Sequence, residues 1–213
     1  MTPMRHSVSD DRLLAYAAGA LSSPEALVVA THLWMRPQAG AFARRLEAVG
    51  GRLLEDIPPE PLPADALARV MARAETDAGA VEPALPLNDM PQLPEPLRRH
   101  ALGPWRWMGP GVRVRDVLGP RDGACRVILL EIQPGRVMPR HTHGGVELTC
   151  VLSGAYATDD ERFDRGDLEE ADQHTLHQPR VVSDEACLCV AALDGQILLD
   201  GWLGRLIQPF IRL

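Results

Sequence analysis

Between Gly135 and Gly154 the chain reads GRVMPRHTHGGVELTCVLSG, placing His141, His143 and Glu147 close together in one short stretch. Side chains alternate faces along a strand, so His141 and His143 point the same way. Glu147 keeps that parity if the strand resumes in register after the Gly144-Gly145 kink. Two imidazoles and a carboxylate on one face suit zinc, iron, manganese or nickel, and a further histidine from another strand would close the site. His177 is the leading candidate. An HxH pair alone is a weak pattern, because two histidines on an exposed strand edge bind nothing in most proteins. Here Gly135 and Pro139 precede the pair as a turn, Glu147 follows at ligand range, and the apolar run Leu148 to Leu152 ends at Ser153-Gly154.

The elements that must position these residues fall into two halves. Ser9 is a plausible N-cap, with Asp10 and Asp11 in a first turn where the helix dipole favours acids, followed by Leu13, Leu14, Ala17, Ala18 and Leu21. Ser23-Pro24-Glu25 opens a second helix that Pro37 stops. A third covers Ala39 to Asp56, softened at Gly50-Gly51, and a fourth covers Ala64 to Asp77, with Leu67, Val70, Met71 and Ala74 on one side. Prolines at 83, 86, 91, 94 and 96 then describe an extended, rather stiff linker. From Ala101 the pattern turns to β: Val112, Val114 and Val117 alternate with charged residues, Arg126 to Ile132 is a more continuous apolar strand, and late strands run through Ala186 to Leu193 and Gln196 to Leu203. The expected organisation is α+β and multidomain. A small helical bundle (1–78) and a Pro-rich linker (79–100) lead to an antiparallel β-sandwich or barrel (101–213). A helical module of this size has a thin core and often needs a staple, a metal or a partner.

Bulk properties set outer limits. The 213 residues are 46% hydrophobic and 24% charged, the composition of an ordinary soluble protein. No run approaches eighteen apolar residues, and MTPMRHSVSDD turns acidic where a signal peptide would become apolar, so a cytoplasmic location without membrane contact is expected. Cys125, Cys150, Cys187 and Cys189 are then expected as reduced thiols rather than a disulfide framework. A formal charge of −7 argues against nucleic acid as a direct partner and is compatible with a basic protein partner.

Gly135 to Gly154 resembles the first cupin motif, and Gly166 to Val181, GDLEEADQHTLHQPRV, resembles the second, with Asp172, His174 and Val181 replacing its usual turn residues. The resemblance implies His141, His143, Glu147 and His177 as the metal set. With both halves in view the chain is similar to the ChrR-type anti-sigma factors, through RHSVSDDRLLAYAAGALS and ALVVATHL in the first half. HTHGGVELTCVLSGA, RFDRGDLEEADQ, CLC and LIQPFIRL carry it in the second. The family implies a helical module that occludes an extracytoplasmic-function sigma factor. It also implies a cupin-like half, with one zinc per chain, that responds to singlet oxygen, peroxide or a related oxidant. Iron, manganese or nickel is the alternative metal.

One departure stands out. Where the family places His-x3-Cys-x2-Cys, this chain has His32, Arg36 and Ala39, so His6 and His32 remain without the two thiolates, and zinc is not expected there. Cys187 and Cys189 share a strand face, as oxidisable thiols or as small core residues, while Cys125 and Cys150 read as core. An alternative function is a cupin metalloenzyme, a dioxygenase, oxidase or isomerase, with His174 near the metal as acid or base.

Overall fold

The computed structural model describes residues 6–77, 87–159 and 161–200. The first half of the proline-rich stretch and everything after Asp200, including LIQPFIRL, lie outside the described residues.

Four helices open the chain: α1 (Asp10–Ala17), α2 (Ser23–Met35), α3 (Pro37–Glu55) and α4 (Ala66–Asp77). The cap of α2 is Ser22, one residue before the expected start. Its hydroxyl oxygen accepts from the Glu25 N–H, and the Ser22 N–H donates back to the Glu25 carboxylate, a reciprocal capping box. Pro37 opens α3 directly after Arg36, whose non-helical backbone separates the two helices. α3 runs unbroken through Gly50-Gly51, contrary to the expected softening, as its 19 residues carry the helical ladder across both glycines. A short α5 (Glu95–Arg98) ends the proline-rich stretch, and Met90, Leu93 and Leu97 from this segment are buried in the core.

The strands are β1 (Arg106–Gly109), β2 (Val112–Asp122), β3 (Cys125–Ile132), β4 (His141–His143), β5 (Glu147–Ser153), β6 (Ala155–Ala157), β7 (Arg162–Asp164), β8 (Leu168–Ala171), β9 (Arg180–Val181), β10 (Cys187–Leu193) and β11 (Ile197–Leu199). All named pairings are antiparallel. A large sheet has the order β1-β2-β3-β10-β5-β8, a second has β7-β6-β9, and β4 pairs with β11. Among the described residues this is a sandwich of cupin type rather than a closed barrel.

β10, CLCVAAL, is buried along its whole length because both faces of the large sheet are covered. Cys187 and Cys189 pack with Ile132, Tyr156, Phe163 and Val181 towards the small sheet. Leu188, Val190 and Ala192 face the other way and join a core that includes Val28, Val29 and Leu33 of α2. Each such side chain contributes about 1.5–3 kcal/mol on burial, so three from α2 supply roughly 5–9 kcal/mol, an upper estimate because the unfolded chain already buries part of that surface. The staple that the thin helical bundle requires is therefore the back of the β-sheet.

Candidate metal centre

His141 and His143 lie on β4, which β11 pins through the pairs Leu199 with His141 and Ile197 with His143. His177 arrives from the loop before β9 and is fixed by a reciprocal backbone pair, with His141 N–H to His177 O and His177 N–H to His141 O both at 3.0 Å. All three imidazoles are buried. The His177 Nε2 atom lies 3.1 Å from the Nε2 atoms of both His143 and His141.

The opposite edge of each ring is held by an acceptor. The Nδ1 atom of His141 is 2.7 Å from the Pro139 carbonyl oxygen, that of His143 is 3.1 Å from Glu147 Oε2, and that of His177 is 2.8 Å from Glu169 Oε1. These acceptors assign the proton to Nδ1 in every ring, which leaves three Nε2 lone pairs converging on one point. Such an arrangement is repulsive unless a cation occupies the centre. Two nitrogens bound to one tetrahedral zinc ion sit about 3.3 Å apart, given Zn–N bonds of about 2.0–2.1 Å. The residues therefore fit a borderline divalent metal.

Glu147 stands differently from its three partners. It lines the same small cavity as His141 and His177, but its Oε2 accepts from His143 and its Oε1 accepts the Thr149 hydroxyl at 2.7 Å. Burial pushes its carboxyl up, yet the bonds from His143 and Thr149 outweigh that and hold it below the usual range. Burial favours neutral His141, lowering its pKa against the Pro139 carbonyl bond. For His177, burial opposes the charge, but the bond to Glu169 prevails and raises it. Glu169 in turn accepts the Tyr156 hydroxyl at 2.5 Å, and burial with the nearby carboxylate pushes that phenol well up. The role of Glu169 was not read from the sequence. The signal available was an acidic pair, Glu169-Glu170, between Leu168 and Ala171 on a four-residue strand.

A family model described as the ChrR cupin-like domain matches residues 98–195. The anti-sigma-E factor ChrR of Cereibacter sphaeroides is 41% identical over 215 residues, covering 99% of this chain and 99% of that protein. This chain belongs to the ChrR family of anti-sigma factors. A chain in the crystal structure of Rhodobacter sphaeroides SigE in complex with the anti-sigma ChrR matches at a TM-score of 0.72 and 38% identity, covering 89% of this chain and 99% of that one.

In this member of the ChrR family the N-terminal histidines and Arg36 are engaged within the protein. His32 is buried with both ring nitrogens engaged, Nδ1 donating to the Gly166 carbonyl at 2.8 Å and Nε2 lying 3.3 Å from the Ser7 hydroxyl. Burial lowers its pKa despite the Gly166 bond. The His6 ring packs on Phe163 at 4.4 Å. Arg36 turns its guanidinium to Asp167 Oδ1 at 2.6 Å and the Arg165 carbonyl at 2.9 Å, and Ala39 is buried. His32 and Arg36 thus both hold the turn at 165–167.

The cysteines are all buried and unpaired. The Cys187 and Cys189 sulfurs are 3.6 Å apart, and the Cys187 contact together with burial pushes the Cys189 thiol well up. Burial pushes Cys150 up to about 12. His174 is exposed on a turn, its N–H donating to Asp172.

Proposed function

We propose that this chain is an anti-sigma factor that holds an extracytoplasmic-function sigma factor inactive. Residues 1–78 form the sigma-binding part, 79–100 the connection and 101–213 the metal-binding, signal-receiving part. The observation that carries sequestration is a set of exposed apolar side chains: Val49, Leu53 and Leu54 on the free half of α3, Ile57 just after it, and Leu67, Val70 and Met71 on α4. Apolar patches of this extent on a soluble chain mark interaction sites. Membership of the ChrR family and the SigE complex of its relative name the partner class.

In the cupin-like half, His141, His143 and His177 are the proposed ligands. Glu147 is the proposed fourth ligand on its sequence spacing; its carboxylate holds the Nδ1 edge of His143, so reaching an ion among the Nε2 atoms requires it to give up that bond. Zinc supplies charge and geometry there without redox chemistry of its own. Release on exposure to singlet oxygen, peroxide or a related oxidant completes the proposal. A cytoplasmic site of action accords with a chain in which, among the described residues, no helix is long and apolar enough to cross a membrane. The cavity beside the histidines is about 50 Å³ and a larger one of about 550 Å³ also reaches His177 and Glu169, so the regulatory reading rests on the ChrR relative rather than on cavity size. The test is gel filtration of the full-length chain with purified extracytoplasmic-function sigma factors, starting with SigE. A stable one-to-one complex is expected, and failure to bind any of them would overturn the reading.

A further inference from the structure

The six residues from Arg165 to Glu170 connect two regions of the molecule. Five of them hold the helical half. The Arg165 carbonyl and Asp167 Oδ1 accept from Arg36, the Gly166 carbonyl accepts from His32, and the Leu168 N–H donates to the His6 carbonyl at 3.1 Å. Glu170 accepts the Ser9 N–H at 2.6 Å, the Ser9 hydroxyl at 3.1 Å and Arg12 Nε at 2.8 Å. Arg12 passes the link on to Glu25, in the capping box of α2, at 2.8 Å. The remaining residue, Glu169, points the other way and holds His177.

This division follows from strand geometry. Adjacent residues of β8 project to opposite faces, so Glu169 reaches the histidine cluster while Glu170 reaches α1. Among the described residues β8 is the edge of the large sheet and its ladder partner is β5, so a shift of β8 disturbs one ladder. Gly166 fits the same design: its φ is +88°, and a Cβ there would lie 2.8 Å from Arg36 Nε. A side chain at that position would push the guanidinium off the turn.

We propose that β8 is the lever of this protein, coupling the occupancy of the metal centre to the seating of α1 and α2 through the back-to-back pair Glu169 and Glu170. The coupling rests on the metal reading given above. Filling the histidine cluster fixes His177, hence Glu169 and β8, and so favours the Glu170 bonds to Ser9 and Arg12. Emptying or damaging the cluster loosens β8 and with it α1 and α2, against which α3 packs. Linkage makes the effect reciprocal: whatever factor the metal contributes to helix docking, docking contributes to metal affinity.

The experiment uses the full chain loaded with zinc. Hydrogen–deuterium exchange is followed in α1 and α2 before and after a chelator, with metal content measured alongside. Zinc affinity is measured by chelator competition for the wild type, Arg12→Gln and Glu170→Ala. We expect removal of zinc to accelerate exchange in α1 and the first turns of α2 on the order of tenfold, and each variant to weaken zinc binding several-fold although neither residue touches the histidines. Zinc that leaves without changing exchange in the unmodified chain overturns the lever, as does an unchanged zinc affinity in Arg12→Gln. A wild-type chain that binds no metal instead overturns the metal reading, and the lever with it.

Discussion

Truncating Leu67, Val70 and Met71 to alanine should weaken sigma binding while leaving the fold intact. These side chains are 74%, 64% and 54% exposed, so they contribute almost nothing to folding and have most of their apolar surface left to bury in a complex. Full burial of such a side chain is worth about 1.5–3 kcal/mol. Scaled by exposure, the three together offer roughly 3–6 kcal/mol, and part of that remains with the alanine Cβ atoms. A loss of about 2–3 kcal/mol corresponds to roughly 30- to 150-fold in Kd. Isothermal titration of the triple variant with the cognate sigma factor, beside a urea unfolding curve, separates the two quantities. An unchanged Kd with an unchanged midpoint would refute α4 as part of the sigma-binding surface.

Replacing His141, His143 or His177 with alanine should remove the metal found by elemental analysis, and Glu147→Gln should reduce its affinity. Metal retained at full stoichiometry in all four would sink the site. Arg36→Ala should cost about 1 kcal/mol in urea unfolding, a discounted value because the guanidinium is partly exposed, and should leave metal content unchanged. His32 has a folded pKa below its ordinary 6.5, so it adds stability that is present above that value and lost as pH falls through it; in chelator-treated protein the unfolding midpoint should drop between about pH 7 and 5, less steeply in His32→Gln. If the paired thiols carry the oxidant signal, Cys187→Ser with Cys189→Ser should leave sigma binding intact and block oxidant-triggered release. Their burial and the raised Cys189 thiol predict that neither is alkylated by iodoacetamide at pH 8 until the chain unfolds.

The three histidines were legible because an HxH pair on a strand needs only parity, and a later histidine in a second turn-bounded motif supplied the third. The helices were legible from proline, serine and apolar spacing; the structure differs at the α2 cap, at the starts of α3 and α4, at Gly50-Gly51, and at α5, which lies in the stretch expected as an extended linker. Docking of the helices on the sheet was not legible. It depends on both faces of CLCVAAL being apolar, a pattern that a strand buried by any second layer would share. Glu169 and Glu170 carry no signal of their own in the sequence beyond being adjacent acids, and only the edge position of β8 between two packed layers gives each a separate partner. Arg36 was read as the loss of a zinc ligand. Its contact with Asp167 was invisible because 131 residues separate the two.

Run-off transcription with core polymerase and the cognate extracytoplasmic-function sigma factor tests the central claim most directly. Adding this chain should reduce transcript in proportion to its concentration, reaching near-complete inhibition at one chain per sigma, and an oxidant should restore it. Full transcription in the presence of a several-fold excess of the folded, metal-loaded chain would contradict the account.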